Sequence, residues 1–500
     1  MKAVIIGAGV GGIATALFLA RNGYSVDVYE KNANPGGRCG QLIQSGHRFD
    51  LGATILLMPS LYRQVFSSLG LDMDKELETT SLEPVYKLFF GDGTDFAFSR
   101  NPAKMKDQLE AMESGSFTRY EKYVKEGYDF FGQSMDGLLN RNFYHLFQFI
   151  NLKSTLLLIR LKTWIKHTDY IQRFFKDPRL QKAFTFQNIY VGQNPYRQPA
   201  FFSMLPGAEI AEGALFPKGG MHRVVEKLLE EATLAGVKIH YKKTVSKIVV
   251  NGNKTEGIQL ENGKMIHAGI VVANADLPYI YNELLPDKRA TNRLKKKEYS
   301  CSAIVFHWGM DKIYPQLDHH SIFLNEPYKE GMEKIFNDKS LSGNPSFYVH
   351  APVRTDKSAA PENEDTLSVI IPVGHIDAKY DQDWQEIKQS ARESVIRRLK
   401  EAGLTDIEEH IKFEICFMPK TFESYCNVTN GSVFGSLSHT IFQMGYFRPH
   451  NRHRKYKNLY FAGGSTHPGN GVPLVLLSAK LTSERIIKEI KQPLTPKGGF

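Results

Sequence analysis

The chain has 500 residues, 42% of them hydrophobic, and its 63 basic and 53 acidic side chains give a formal net charge of +10. That length exceeds one ordinary core, so two or three domains are expected, and the composition excludes disordered, collagenous and disulfide-scaffold classes. An excess of basic groups suits nucleic acid or an anionic membrane surface, but no nucleic-acid module accompanies it, so no nucleic-acid partner is expected.

The N-terminus reads as strand, glycine turn, helix, strand: Lys2 to Ile6, Gly7-Ala8-Gly9-Val-Gly-Gly12, an apolar run to Asn22-Gly23, then Ser25 to Glu30. Gly7 permits the tight turn, Gly9 a close approach of backbone to a diphosphate, and Gly12 the packing of helix on strand. The helix start offers unpaired N–H groups, and Glu30 stands where an acceptor holds a ribose hydroxyl. Next come Asn34-Pro-Gly36-Gly37-Arg38, whose guanidinium suits phosphate oxygens, and Phe49-Asp50-Leu-Gly52-Ala-Thr54, a second close backbone approach. Residues 1–85 are therefore read as the first part of a dinucleotide domain.

Residues 86–205 are aromatic-rich and read as helical, without a βαβ rhythm. From Phe143 to Lys176, apolar residues such as Phe147, Ile150, Leu152 and Trp164 alternate with Lys153, Arg160, Lys162, Lys166 and Arg173. Such a basic amphipathic helix can lie in a membrane interface. The same pattern serves a core-facing helix with a solvated basic face, and both readings stand at this stage.

Residues 206–290 return to the nucleotide style, with Phe216-Pro-Lys-Gly-Gly220, short strands such as that beginning at Val245, and a buried Ile270–Ala273 running into Asn274. Residues 291–430 form a second insertion of strands and a helix. Residues 431–500 close the nucleotide domain with a strand to Ala462, the loop Gly463-Gly464 to Gly471, and a helix opening at Val472-Pro473. The stretch from Pro493 to Phe500 is expected to fray. The fold class is thus α/β: a Rossmann-like domain assembled from three sequence segments, with an inserted α+β substrate domain and a helical membrane-associated region. Cys39, Cys301, Cys416 and Cys426 show no metal or disulfide spacing. With the glycine motif starting at residue 7 and no apolar run of about 20 residues, a cytoplasmic chain, soluble or held peripherally on the membrane, is expected.

Taken together, the fingerprint with Glu30, the Gly36-Gly37-Arg38 turn, Phe216 to Gly220 and the closing Tyr460-Phe-Ala-Gly-Gly-Ser-Thr-His-Pro-Gly-Asn-Gly-Val-Pro473 resemble the bacterial phytoene desaturase family over essentially the full length. Tyr299-Ser-Cys301-Ser302-Ala303, Asn344-Pro-Ser-Phe-Tyr348, Asp356 to Pro361, and Gly431-Ser-Val-Phe-Gly435 followed by Arg448-Pro449 look like the branch acting on C30 substrates, the dehydrosqualene desaturases. The resemblance implies FAD, with its adenosine end by the first glycine turn and its flavin by the closing helix. It implies cofactor contacts at Gly7, Ala8, Gly9, Gly12, Glu30, Lys31, Gly37, Arg38, Thr54, Val245, Asn274, Gly463, Gly464, Gly471 and Val472. It also implies hydride loss from an apolar polyene to the flavin followed by proton loss, a membrane-bound substrate, and reoxidation by oxygen or quinone. Phe184, Phe186, Tyr190, Phe201 and Phe202 are candidate tunnel residues. The cluster Arg448, Arg452, Arg454, Lys455 and Lys457 is a candidate lipid contact. No base is identified: His467 is the best single candidate, with Glu212 and Asp50 weaker. Alternatives on the same fold are a carotenoid terminal-methyl oxygenase, or a polyene isomerase or saturase; an alternative of a different class is a non-catalytic flavin-binding or lipid-carrier protein. Amine oxidation is disfavoured, since the acidic residue those enzymes carry after the closing Phe-Ala-Gly is absent here.

Overall fold

The computed structural model describes residues 1–285 and 287–491, and the tail expected to fray lies outside them. Its first layer is a five-stranded, wholly parallel sheet in the order Lys238–His240, Ser25–Tyr29, Lys2–Ile6, Ile270–Ala273, Leu459–Phe461. The strands come from three stretches of sequence far apart in the chain. Lys2–Ile6, Ile270–Ala273 and Leu459–Phe461 are short and buried almost throughout, as parallel sheets require, whereas the edge strand Lys238–His240 is partly exposed. Along the central strand Ala3 and Ile5 pack against helices Val10–Arg21, Arg223–Leu234 and Val472–Lys491. Val4 and Ile6 face the opposite side, a small antiparallel sheet that contributes Ile248, Ile258 and Ile266.

The second layer is a seven-stranded mixed sheet ordered Ile411–Phe417, Ser302–Met310, Asp365–Val373, Phe347–His350, His320–Leu324, Tyr86–Phe90, Asp95–Phe98. The pleat divides it in two faces. Ile304, Phe306 and Trp308 pack with Val349 and Val369 against helix Trp384–Glu401, while Ala303 and Val305 face a cavity shared with the parallel sheet. Tyr86–Phe90 and Asp95–Phe98 correct the sequence expectation, which placed residues 86–205 in a helical region. The two form a local antiparallel hairpin across Gly91-Asp92-Gly93-Thr94, a turn signal the sequence reading passed over, while the pairing of Tyr86–Phe90 with His320–Leu324 is remote in sequence.

The helical layer rests on Ser116–Ser134 and Met204–Glu212, which meet at glycines: a Cβ on Gly207 would lie 2.5 Å from the carbonyl carbon of Gly127. The basic stretch from Phe143 is not one helix. It breaks into Leu146–Gln148, Leu152–Arg160 and His167–Ile171. The last break falls after Leu161, where Lys162 adopts φ 52° and its ammonium pairs with Glu126 at 2.7 Å. Among the described residues no helix is long and apolar enough to cross a membrane.

Candidate active site

Strand Lys2–Ile6 ends at Gly7, whose φ of 95° only glycine adopts without strain, and the Gly7 N–H donates to the Tyr29 carbonyl at 2.8 Å. Helix Val10–Arg21 starts from Gly9 with no side-chain cap, so its first N–H groups and positive dipole end stay available to an anion. A Cβ on Gly12 would stand 2.0 Å from the Gly7 carbonyl oxygen, so Gly12 serves packing and does not line the cavity. The Glu30 carboxylate accepts from Ala8 N and Asn32 N, each at 2.8 Å, which fixes the acceptor at the end of its strand.

Asn274 joins the two ends of the chain. Its Nδ2 donates to the Ala462 carbonyl at 2.8 Å, and its side chain stands 2.9 Å from where a Cβ on Gly9 or on Gly463 would be. Arg38 donates to the Val433 carbonyl at 3.0 Å and lies 3.2 Å from where a Cβ on Gly464 would project. Lys31 is held by the Ser424 carbonyl and by Asn427 Oδ1, both at 2.6 Å. Helix Val472–Lys491 opens at Gly471, φ 87°, and points its N-terminus into the same space. Of the cofactor positions expected from sequence, all but Ala8 and Gly12 line one cavity of about 600 Å³, and Ala8 and Gly12 stand directly behind it.

The cavity continues beyond the glycine turns between walls built by Phe131, Leu138, Leu158, Phe202 and Met444. Tyr190, Phe201 and Phe202 line it as expected. Phe184 and Phe186 do not. They belong to an aromatic core in which Phe184 stacks on Phe175 at 4.9 Å and Phe186 meets Tyr86 edge-on at 5.4 Å.

The three candidate bases fare differently. His467 is not a lining residue: its Nε2 contacts the Arg141 carbonyl at 2.9 Å, Phe143 meets it edge-on, and burial pulls its pKa down to about 4. Glu212 accepts from Ser60 N at 3.1 Å and Ser60 Oγ at 2.7 Å, capping helix Pro59–Ser68 away from the cavity. Asp50 does line the cavity. It accepts from Met221 N at 3.0 Å, and burial pushes its pKa up to about 7. The basic cluster is also redistributed. Arg448 is buried at 1% exposure and donates to backbone carbonyls, and Arg452 pairs with Glu489 at 2.9 Å, leaving only Arg454, Lys455 and Lys457 at the surface.

Sequence reasoning missed two buried polar groups that reach the cavity through its lining residues Tyr86 and His320. The first is Glu209, which accepts from the Tyr86 hydroxyl at 3.1 Å, and whose pKa burial raises to about 8. Its folded pKa lies above the unfolded value near 4.3, so wild-type stability falls as pH rises through that window. Glu209→Gln removes this dependence. Its thermal midpoint relative to wild type is expected to climb steadily from pH 5 to pH 8 and then level off, and a constant difference across that range would refute the assignment. The second is a histidine group, His319, His320 and His350, with ring nitrogens within 4.8 Å of one another. His320 and His350 are cross-strand partners in the sheet. The only sequence signal for them was Asn344-Pro-Ser-Phe-Tyr348, whose Tyr348 hydroxyl lies 2.9 Å from Thr54 Oγ1 and 2.7 Å from His320 Nδ1.

Known proteins match this arrangement along its whole length. The family described as flavin containing amine oxidoreductase matches residues 10–487. A zeta-carotene-forming phytoene desaturase of Myxococcus xanthus is 38% identical over 97% of this chain and 94% of its own. A phytoene desaturase of Fusarium fujikuroi is 37% identical over 97% and 89%. The 4,4'-diapophytoene desaturase (4,4'-diaponeurosporene-forming) of Staphylococcus aureus is 33% identical over 98% and 100%. Among solved structures, an oxidoreductase from Methanosarcina mazei superposes with TM-score 0.64 at 16% identity, covering 97% of this chain and 100% of that one. Putrescine oxidase bound to putrescine gives 0.62 at 13% identity, covering 98% and 100%. The two structures share the fold.

Proposed function

Since the chain belongs to the flavin-containing amine oxidoreductase family, as an FAD oxidoreductase of the phytoene desaturase type acting on CH–CH bonds, we propose that it desaturates a linear C30 or C40 carotenoid precursor. The observation that carries this reading is the distribution of charge in the cavity. Its carboxylate, lysine and arginine lining groups Glu30, Lys31, Arg38, Asp50, Lys243 and Asp276 all come from the nucleotide segments. The walls contributed by residues 131–205 and 441–447 hold no charged side chain. A substrate seated there has no polar handle and is selected by shape. An amine, cationic at neutral pH, would find no carboxylate in that half of the cavity.

Bound FAD supplies the two-electron acceptor that no side chain can replace. The protein supplies the rest. The N-terminus of helix Val472–Lys491 favours negative charge on whatever ring lies against it. The apolar walls hold the polyene in register and exclude water. The motifs shared with C30 enzymes support dehydrosqualene, and the higher identity to the C40 enzymes supports phytoene. Expression in hosts making one or the other decides between them: a coloured extract with longer-wavelength absorption and a mass loss of two hydrogens per step is expected. Unchanged precursor in both hosts, with flavin-loaded soluble protein, would refute the reading. Oxygen added to a terminal methyl would favour the oxygenase alternative.

A polyene resides in the bilayer, so the enzyme is assigned a peripheral position on the cytoplasmic membrane, with reoxidation by oxygen or a quinone. Around one end of the cavity Phe147 is 83% exposed, Phe442 73% and Trp164 62%, beside the lining residues Phe149, Ile441 and Phe447. Large exposed apolar side chains next to a cavity's lining residues support a docking role. Lys153, Arg160 and Lys166 are exposed beside it. Burying a Phe or Trp side chain contributes roughly 1.5–3 kcal/mol. The double variant Phe147→Glu with Trp164→Glu is therefore expected to lower partition onto anionic vesicles by about 100-fold or more, read by co-sedimentation. Undiminished binding would remove this face as the docking surface.

A further inference from the structure

Desaturation must dispose of a proton as well as a hydride, and none of the three bases expected from sequence is both unengaged and exposed to the apolar half of the cavity. We propose that Tyr348 takes this proton at the substrate and passes its own to His320. The proposal rests on the desaturase reading above.

Tyr348 is half-buried and lines the cavity, and its hydroxyl is held between Thr54 Oγ1 and His320 Nδ1 at 2.9 Å and 2.7 Å. Thr54 follows Gly52 closely, and a Cβ on Gly52 would meet the Arg38 carbonyl at 2.2 Å. Arg38 in turn touches Gly464 of the closing segment. The hydroxyl therefore stands where the cofactor motifs and the apolar walls meet. The Tyr348 hydroxyl hydrogen rotates between two neighbours, Thr54 Oγ1 at 2.9 Å and His320 Nδ1 at 2.7 Å. The relay uses the orientation toward His320 Nδ1, the shorter contact, in which Nδ1 of a neutral imidazole is the acceptor.

Burial drives the His320 pKa well below its ordinary value, and the neighbouring rings of His319 and His350 act in the same direction. The group is therefore neutral and ready to accept. A weak base suffices, because the allylic cation left by hydride loss is a far stronger acid than an imidazolium. The step balances. FAD held by the cofactor residues would take up the hydride with its electron pair. The C–H bond on the adjacent carbon then breaks, its electrons form the new C=C bond, and its proton joins the Tyr348 oxygen as the hydroxyl proton moves to His320 Nδ1. Tyr348 ends neutral and His320 ends as an imidazolium.

Two measurements on FAD-loaded protein test this. In the first, Tyr348→Phe keeps the ring and removes the relay. FAD content, thermal midpoint and binding of the coloured product are expected to stay at wild-type levels, while desaturation falls about 100-fold or more. His320→Asn is expected to fall similarly, and the double variant to fall no further than the worse single one, as residues acting as one unit do. In the second, 15N NMR of histidine-labelled protein, assigned by difference against His320→Asn, is expected to show His320 with Nδ1 unprotonated, whether or not substrate is present. Turnover of Tyr348→Phe within threefold of wild type, or a His320 protonated on Nδ1, would overturn the inference while leaving the desaturase reading intact. Wild-type protein that desaturates neither phytoene nor dehydrosqualene would overturn both.

Discussion

Arg448→Met is expected to yield a chain that is either insoluble or free of FAD. The Arg448 guanidinium donates to the carbonyls of Thr466 at 2.9 Å, Ser438 and Gln443 at 3.3 Å, and Leu437 at 3.5 Å, and to that of Gly464. It is fully enclosed, and burial drags its pKa down to about 9, with Asp276 opposing that shift. Methionine fills much of the volume but has no donor. Each buried carbonyl left without a partner costs about 1–3 kcal/mol. The Ser438 carbonyl keeps the Gln443 Nε2 donor at 3.2 Å, so four are left unpaired, and four such losses, even with relaxation, rival the total stability of a domain, roughly 5–15 kcal/mol. The damage is directed at the cofactor because Gly464 and Thr466 belong to the closing loop. Arg448→Lys keeps a charge but cannot fork across five acceptors, so an intermediate loss is expected. Flavin absorbance of the purified protein and its thermal midpoint are the readouts. An Arg448→Met protein with a full complement of FAD and an unchanged midpoint would show that these carbonyls find other donors.

Arg448 also marks where the sequence stops being informative. In the chain it sits among Arg452, Arg454, Lys455 and Lys457, and by composition alone it is one cation of a basic patch. Only the fold reveals that its neighbours in space are carbonyls from residues 437–466. Features set by local rules were legible. Gly7, Gly9 and Gly12 announce a turn that only glycine can make, and Ile270–Ala273 announces a strand buried on both faces. Features set by pairing across long loops were not. The hairpin of Tyr86–Phe90 and Asp95–Phe98 joins the larger sheet because His320–Leu324 lies beside it, and His320 faces His350 because two strands share a register. His467 illustrates a different failure. Membership of the closing loop suggested a catalytic role, but a side chain in a loop can turn to either side, and this one turns toward the Arg141 carbonyl. The stretch from Phe143 is apolar and basic, yet it is interrupted before Leu152 and again at Lys162, whose positive φ ends the helix beside its ion pair with Glu126.

Ser134→Phe is expected to separate the two halves of the cavity: FAD retained, desaturation lost. Ser134 ends helix Ser116–Ser134, is 1% exposed, and lines the cavity among Phe131, Leu138 and Leu139, with no hydrogen-bond partner for its hydroxyl. None of the cofactor motifs touches this stretch of wall. A phenyl ring at this position has the cavity itself as its available space, so the overpacking penalty of about 1–3 kcal/mol seen in filled cores is largely avoided. A polyene displaced by even one ångström from its reacting geometry loses on the order of 100-fold in rate, and a ring across the path displaces it further. Desaturation is therefore expected to fall by about 100-fold or more, with flavin content and thermal midpoint near wild type. Ser134→Ala controls for the lost hydroxyl, which makes no bond, and is expected to remain fully active. Wild-type turnover in Ser134→Phe would mean that substrate reaches the flavin by another route. Loss of FAD in the same variant would mean that the apolar wall and the nucleotide site are not separable, and that the absence of charge between residues 131 and 205 reflects ordinary core packing instead of a hydrocarbon path.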